Sequence, residues 1–311
     1  MVRESRRHPA AVVLIAGGSA REACLGLALV APPLLVLLLL VVIPAVQATT
    51  FSLGLVPTDN VVFSTGQHLV SSSTPTLDVY RSLLADPFFR ADFSTTLTIT
   101  VVSVILVAIV GYVLALYVRF GSGRLPRLVR SLYLIPMFVP VVIASYAAIT
   151  FYVDRGALAA ALHALGLPFA SPAYTPAGVI ITQVWYNIPF AVLMLGSGLD
   201  GVDQELIEAA RDAGAGLITV LWRVVLPLNI VPLLIVLTFT FIGVVGSFTI
   251  PFMIGPNAPR MVGVTIQAYF SDYNQPQPAV AMAVLLFLIA AVAGFAYVWA
   301  TSRTNRQAAT V

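Results

Sequence analysis

The sequence predicts an all-α integral membrane protein with about six transmembrane helices, and three observations carry that expectation. Of its 311 residues, 59% are hydrophobic and 9% are charged, where a soluble domain carries roughly 25% charged residues. The mean hydropathy is +0.97. Uncharged runs at 23–58, 93–118, 131–153, 156–199, 224–259 and 273–302 each reach the roughly 20 apolar residues that a helical span needs. Helices are expected at about 24–47, 93–118, 131–153, 176–199, 228–250 and 279–300.

The first span follows Arg3, Arg6 and Arg7 and the apolar stretch Ala10–Ala16, the order of a cleaved signal peptide. That stretch is short and is broken by Arg21 and Glu22, which favours an uncleaved span behind a basic tail, 1–23. Orientation follows from arginine, since all 16 basic residues are Arg. With the N-terminus inside, segments 1–23, 119–130, 200–223 and 301–311 hold twelve Arg, and 48–92, 154–175 and 251–278 hold four. An excess of basic residues marks cytoplasmic loops, so both termini and the 200–223 loop are expected in the cytoplasm. The stretch 48–92 is the longest external loop. Around Tyr80–Arg90, residues Leu83, Leu84, Phe88 and Phe89 read either as a short amphipathic helix at the lipid interface or as a loop covering the bundle.

Charge placement narrows the mechanism. An ion-coupled carrier keeps an ionisable group within the bilayer to bind its coupling ion. All 13 carboxylates, and His8, His68 and His163, fall outside the expected spans. The absence of Lys excludes a phosphate-cradling ATPase loop. With one cysteine, Cys24, the chain has neither an internal disulfide nor a multi-cysteine metal site. No catalytic residue and no metal ligand set is expected, and no nucleic-acid partner.

The loop between the fourth and fifth spans carries the specific signal. Asp203 is placed as an N-cap, Gln204–Ala213 are helix formers, and Gly214 and Gly216 end the helix. Leu206, Ala209, Ala210 and Ala213 fall on one small apolar face. Such a face buries little area by itself and suits close approach to another surface. Four acidic residues near it disfavour an anionic leaflet and favour a soluble protein partner.

Glu208-Ala209-Ala210, then Gly214, then Val224-Val225-Leu226-Pro227 resembles the EAA loop of binding-protein-dependent ABC importer permeases, and the resemblance extends over roughly 24–300. It implies a type I ABC importer permease fold, with one membrane domain at 24–300, an external loop at 48–92 and a coupling loop at 200–227 between cytoplasmic tails 1–23 and 301–311. It assigns Glu208, Ala209, Ala210, Gly214, Leu226 and Pro227 to ATPase coupling. The implied partners are two copies of an ATP-binding-cassette ATPase carrying ATP and Mg, a second permease that is a homologous different chain, an extracytoplasmic binding protein and the lipid bilayer. The implied location is the bacterial cytoplasmic (inner) membrane. Leu84-Ala-Asp-Pro-Phe-Phe89, Val245-Gly-Ser-Phe-Thr-Ile-Pro251 followed by Gly255, and Asp212-Ala-Gly-Ala215 are similar to the polyamine (spermidine/putrescine) branch. Ala213 departs from its usual Leu, and Trp222 stands where Phe is frequent. Ferric iron, thiamine, phosphonate, small anions and sugars remain as alternative cargoes, and a passive or carrier-type transporter as an alternative class.

Pathway residues are sought among polar and aromatic side chains of the inner helices: Tyr133, Tyr146, Trp185, Tyr186, Asn187, Ser247, Phe248 and Thr249. Pro136, Pro140, Pro189 and Pro251 free backbone carbonyls nearby. Asn187 in a span either pairs with a neighbouring helix or faces a cavity.

Overall fold

The computed structural model describes residues 20–56 and 64–308. Most of the basic tail 1–23, the 57–63 part of the first external loop, and 309–311 of the C-terminal tail lie outside the described residues. Among the described residues all regular structure is helical. The chain divides into two compact units, 1–49 and 50–311. The first carries most of span 1, in which Ala20–Leu37, a widened π turn Leu38–Val42 and Ile43–Ser52 follow one another without a break. Its leucines and valines are exposed, the favourable state for an apolar helix whose solvent is hydrocarbon.

The second unit holds span 2 (Pro87–Phe120), span 3 (Val141–Ala164), span 4 (Pro176–Asp200), span 5 (Leu217–Leu228 with Ile230–Val245) and span 6 (Pro276–Arg303). Spans 2 and 4 open on a cap followed by proline at the first helical position. Asp86 accepts from Phe88 N at 2.9 Å, and Thr175 Oγ1 accepts from Gly178 N at 3.3 Å. This is the sequence grammar of a sharp helix start. Spans 2 and 4 run parallel: Ile99 shares a cluster with Val179, residue 111 meets Ala191, and Arg119 Nε lies 3.1 Å from Asp200 Oδ1. Span 5 returns antiparallel to span 4, with Asn229 bonded to Leu195 and Gln183 to Ser247. Span 6 is antiparallel to span 5, Val245 packing in one cluster with Met282 and Leu286.

Two expected spans are not single helices. The 131–153 span is broken into Arg124–Leu132, Ile135–Phe138 and Val141–Tyr152. Val139 is extended (φ −94°, ψ 120°) before Pro140, because the proline ring excludes a helical residue before it. The apolar path then continues past 153–156 into Ala157–Ala164, which had been assigned to an external loop. The 228–250 helix begins earlier and bends by 72° between Leu228 and Ile230. It ends at Val245, and Thr249–Ile254 forms a separate short helix.

The first external loop also shows more order than its composition implies. Asp78–Ala85 is helical and leads directly into span 2. Leu84 and Phe88 are exposed, as an interfacial helix requires, but Leu83 and Phe89 are buried with Val79, Val245 and Met282. Gln277 is fully buried at the head of span 6. Its Nε2 donates to Phe51 O (3.0 Å) and Val70 O (2.9 Å), and its Oε1 accepts from Val70 N (2.8 Å).

Asp92 revises the expectation that no carboxylate lies in a spanning helix. Span 2 has 34 residues, about 51 Å at 1.5 Å per residue, against a hydrocarbon thickness of about 30 Å. Asp92, near its start, therefore need not sit in hydrocarbon. Its Oδ1 accepts from Arg260 N at 2.9 Å and its Oδ2 from Thr265 Oγ1 at 2.6 Å, while Thr96 Oγ1 accepts from Val262 N at 2.8 Å. Arg260 Nε stands 3.9 Å from Oδ2. Together these pin the segment 260–265 to span 2. Beside this latch, Tyr269 is held above the ordinary tyrosine pKa by burial first and then by the Asp86 carboxylate.

Candidate functional site

The 200–227 loop is built onto the body of the protein. Asp203 occupies the N-cap position in extended backbone (φ −62°, ψ 130°), but its side chain makes no cap hydrogen bond. Inside the helix Gln204–Asp212, Gln204 Nε2 donates to Glu208 Oε1 at 3.1 Å. The helix closes with Gly214 N donating to Arg211 O (2.8 Å) and Ala215 N to Ala210 O (3.0 Å). This paired closure needs a left-handed residue at 214, and Gly214 has φ +86°. Nothing lies within 4 Å of where its Cβ would stand. Glycine is required there for its backbone and not for space.

The seat is provided by Ile207, which the helical-face reading overlooked. Ile207 is buried with Val202, Val220 and Val225 against Leu195 and Leu199 of span 4. Ala210 turns to the edge of that cluster, half-buried, whereas Leu206, Ala209 and Ala213 are exposed together on the outward side. Of the four residues assigned to one apolar face, Leu206, Ala209 and Ala213 are exposed, the two alanines forming a small-residue strip beside the leucine, and the fourth borders the body. Glu208 is exposed on the flank. Between this helix and the end of span 2 lies a cavity of about 580 Å³, lined by Tyr117, Phe120, Gln204, Ile207, Arg211 and Leu221 among others.

Leu226 is half-buried and Pro227 exposed, on the short helix Leu226–Leu228 that ends at the bend. The preceding turn Leu221–Val225 is widened to π geometry. A proline ring crowds the carbonyl one turn back, which accounts for a widened turn before it. At the bend stands Asn229, fully buried, its Nδ2 donating to Leu195 O at 3.2 Å. Sequence reasoning missed it, although an amide in the apolar run Leu226-Pro-Leu-Asn229 was the available signal.

The pathway candidates separate into two groups. Asn187 and Ser247 are brought together by a residue not singled out from the sequence, the buried Gln183. Gln183 Nε2 donates to Ser247 Oγ at 2.8 Å, and Asn187 Nδ2 donates to Gln183 O at 2.8 Å, with Gln183 Oε1 at 3.5 Å. Asn187 therefore bonds within its own helix, one turn back. Ser247 lies within the unwound stretch 246–248, Thr249 begins the helix after it, and Phe248 stacks on Phe252 with ring centroids 5.0 Å apart. Tyr186 packs into the cluster of Ile99, Val179 and Ile250. Trp185 and Tyr146 are exposed, and Tyr133 lines a separate cavity of about 340 Å³ with Arg119, Arg130 and Asp200.

Comparison with known proteins fits this architecture. Residues 108–306 match the family described as "Binding-protein-dependent transport system inner membrane component". The probable ABC transporter permease protein y4oQ of Sinorhizobium fredii is 32% identical over 61% of this chain and 62% of its own length. The molybdenum transport system permease protein ModB of Mycobacterium tuberculosis is 28% identical over 68% of this chain and 80% of its own. The spermidine/putrescine transport system permease protein PotB of Escherichia coli is 27% identical over 73% and 83%. In fold, a chain of a bacterial alginate ABC transporter, solved with an alginate pentasaccharide-bound periplasmic protein, superposes with TM-score 0.73 at 16% identity, covering 89% of this chain and 93% of that one. A chain of the MetNI methionine ABC transporter superposes with TM-score 0.52 at 23% identity, covering 67% and 91%. The chain belongs to the family of binding-protein-dependent transport system inner membrane components, as a non-catalytic ABC importer permease subunit.

Proposed function

We propose that this permease moves a small polar solute, delivered by an extracytoplasmic binding protein, into the cytoplasm, driven by ATP hydrolysed on a separate pair of ATPase subunits. The observation that carries the reading is the helix Gln204–Asp212. It is fixed to the body by Ile207 and offers Leu206, Ala209 and Ala213 outward beside Glu208. A short, rigidly seated helix with a small-residue strip suits insertion into a cleft on a soluble partner, where bulky residues would keep the surfaces apart. On this reading Glu208, Ala209, Ala210 and Gly214 meet the ATPase, Leu226 and Pro227 shape the exit into span 5, and ATP and Mg belong to the ATPase. A homologous second permease completes the pathway. Both tails, 1–23 and 301–311, lie in the cytoplasm with the 200–227 loop, and the domain between them is 24–300.

For the cargo we propose a polyamine, supported by the likeness to PotB and by the Leu84–Phe89 and Val245–Pro251 stretches. A second reading, an oxyanion such as molybdate, is supported by the likeness to ModB. Gln183, Asn187 and Ser247 each carry both donors and acceptors, so the polar cluster is compatible with either cargo. The test is uptake of radiolabelled spermidine and molybdate by vesicles holding the complete transporter with its cognate binding protein. ATP-dependent spermidine uptake supports the first reading, and molybdate uptake without spermidine uptake the second.

A further inference from the structure

Asn229 occupies an unusual place. It sits at the 72° bend of span 5, with φ −103° and ψ 15°, and is fully buried. Its Nδ2 is bonded to Leu195 O on span 4 at 3.2 Å. A Cβ at position 198 would strike Asn229 Oδ1 and Pro232, so Gly198 is what admits the amide between the two helices. Asn229 Oδ1 and the Tyr112 hydroxyl of span 2 are both buried, and the two side chains meet there, so spans 2, 4 and 5 converge on this one amide.

The position along the chain gives this contact its meaning. The coupling loop leaves span 4 just after Leu195 and Gly198 and re-enters the bundle at Asn229, so one amide closes the base of the loop. Val220 and Val225 also pack against Leu195, Leu199 and Val236, and Asn229 adds a directional bond to that apolar contact.

We propose that Asn229 is a positioning residue that holds the loop base to span 4, so that displacement of the helix Gln204–Asp212 moves spans 4 and 5 together, with Tyr112 of span 2 supporting the amide. The inference rests on the permease reading given above. It is tested in proteoliposomes holding the complete transporter, comparing Asn229→Leu, which keeps the side-chain size but removes its hydrogen bonds, with Tyr112→Phe.

In Asn229→Leu the complex is expected to assemble and to hydrolyse ATP at its basal rate, with uptake per ATP and stimulation by the binding protein falling about tenfold. Tyr112→Phe should fall in the same direction but less. Wild-type uptake per ATP in Asn229→Leu would overturn the proposal. A second measurement needs no change at Asn229: spin labels at the exposed positions Thr219 and Leu193, in a Cys24→Ser background. Their separation should be the same in the nucleotide-free and ATP-trapped transporter, and a change on trapping would overturn the proposal even if Asn229→Leu does not assemble. Should the unaltered transporter bind no ATPase and show no ATP-dependent uptake, the permease reading fails and not this one.

Discussion

Gly214 holds a left-handed conformation, φ +86°, to close the helix Gln204–Asp212. A side chain there costs about 1 kcal/mol or more, and a β-branched one adds crowding at the turn. Gly214→Val is expected to abolish ATPase pull-down and uptake while the spans still insert. Normal pull-down and uptake would reduce the loop to a connector. Glu208→Lys should weaken docking less, because Glu208 is exposed and bonded to its neighbour Gln204, where screening limits the effect of a charge. Among the polar residues between spans 4 and 5, Gln183 is the buried member that joins the two, and Asn187 bonds to its own helix. Gln183→Leu is therefore expected to reduce uptake more than Asn187→Leu, in complexes that remain assembled with measurable ATPase activity. Full uptake by both variants would assign the pair to helix packing.

At the scale of elements, the latch between span 2 and the 260–265 segment combines two hydrogen bonds to a carboxylate with an Arg–Asp pair. Asp92→Ala leaves the Arg260 and Thr265 donors without their acceptor, a loss of about 2 kcal/mol. A lowered Tm in detergent and faster amide exchange over 260–265 are the expected results, with Asp92→Asn milder because an acceptor oxygen remains. Unchanged exchange would mean that the segment is held by Thr96 and apolar packing alone. The same segment shows where sequence reading stops. Asp92 and Thr265 are far apart in the chain, and no local pattern announces a bond between them. The breaks at Pro140 and Asn229 were half legible. Both residues stand out in apolar runs, yet proline is tolerated inside span 4 at Pro189, so residue type alone does not say which helix will break.

For the whole molecule, the arginine asymmetry makes a direct prediction. Cysteine-accessibility labelling in intact cells should find residue 210 reachable from the cytoplasm, and labelling from outside would end the proposed orientation. The purified chain, with partner subunits rigorously absent, should not hydrolyse ATP, since it contains no lysine to complete a phosphate loop. Hydrolysis by that preparation would contradict the division of labour between permease and ATPase.

What the sequence determined by itself was whatever depends on local composition and fixed spacing. Apolar runs long enough to cross a bilayer set the helical class, and the Glu208–Pro227 spacing pointed to the permease family. Gly214 could be placed at a helix end because helix termination is a short-range backbone property. The tertiary structure alone decided how those helices bear on one another. It chose Ile207 as the anchor of the helix Gln204–Asp212, Gln183 as the link between Asn187 and Ser247, Asp92 as the partner of Thr265, and Asn229 as the partner of Leu195. Ile207, on the loop helix, is selected by the packing of Val202, Val220 and Val225 around it, and the three polar residues share another physical reason. A membrane helix shows little apolar periodicity when lipid and core are both hydrophobic. Which face turns inward is then set by partners distant in the chain, which for the three polar residues are groups that complete a hydrogen bond.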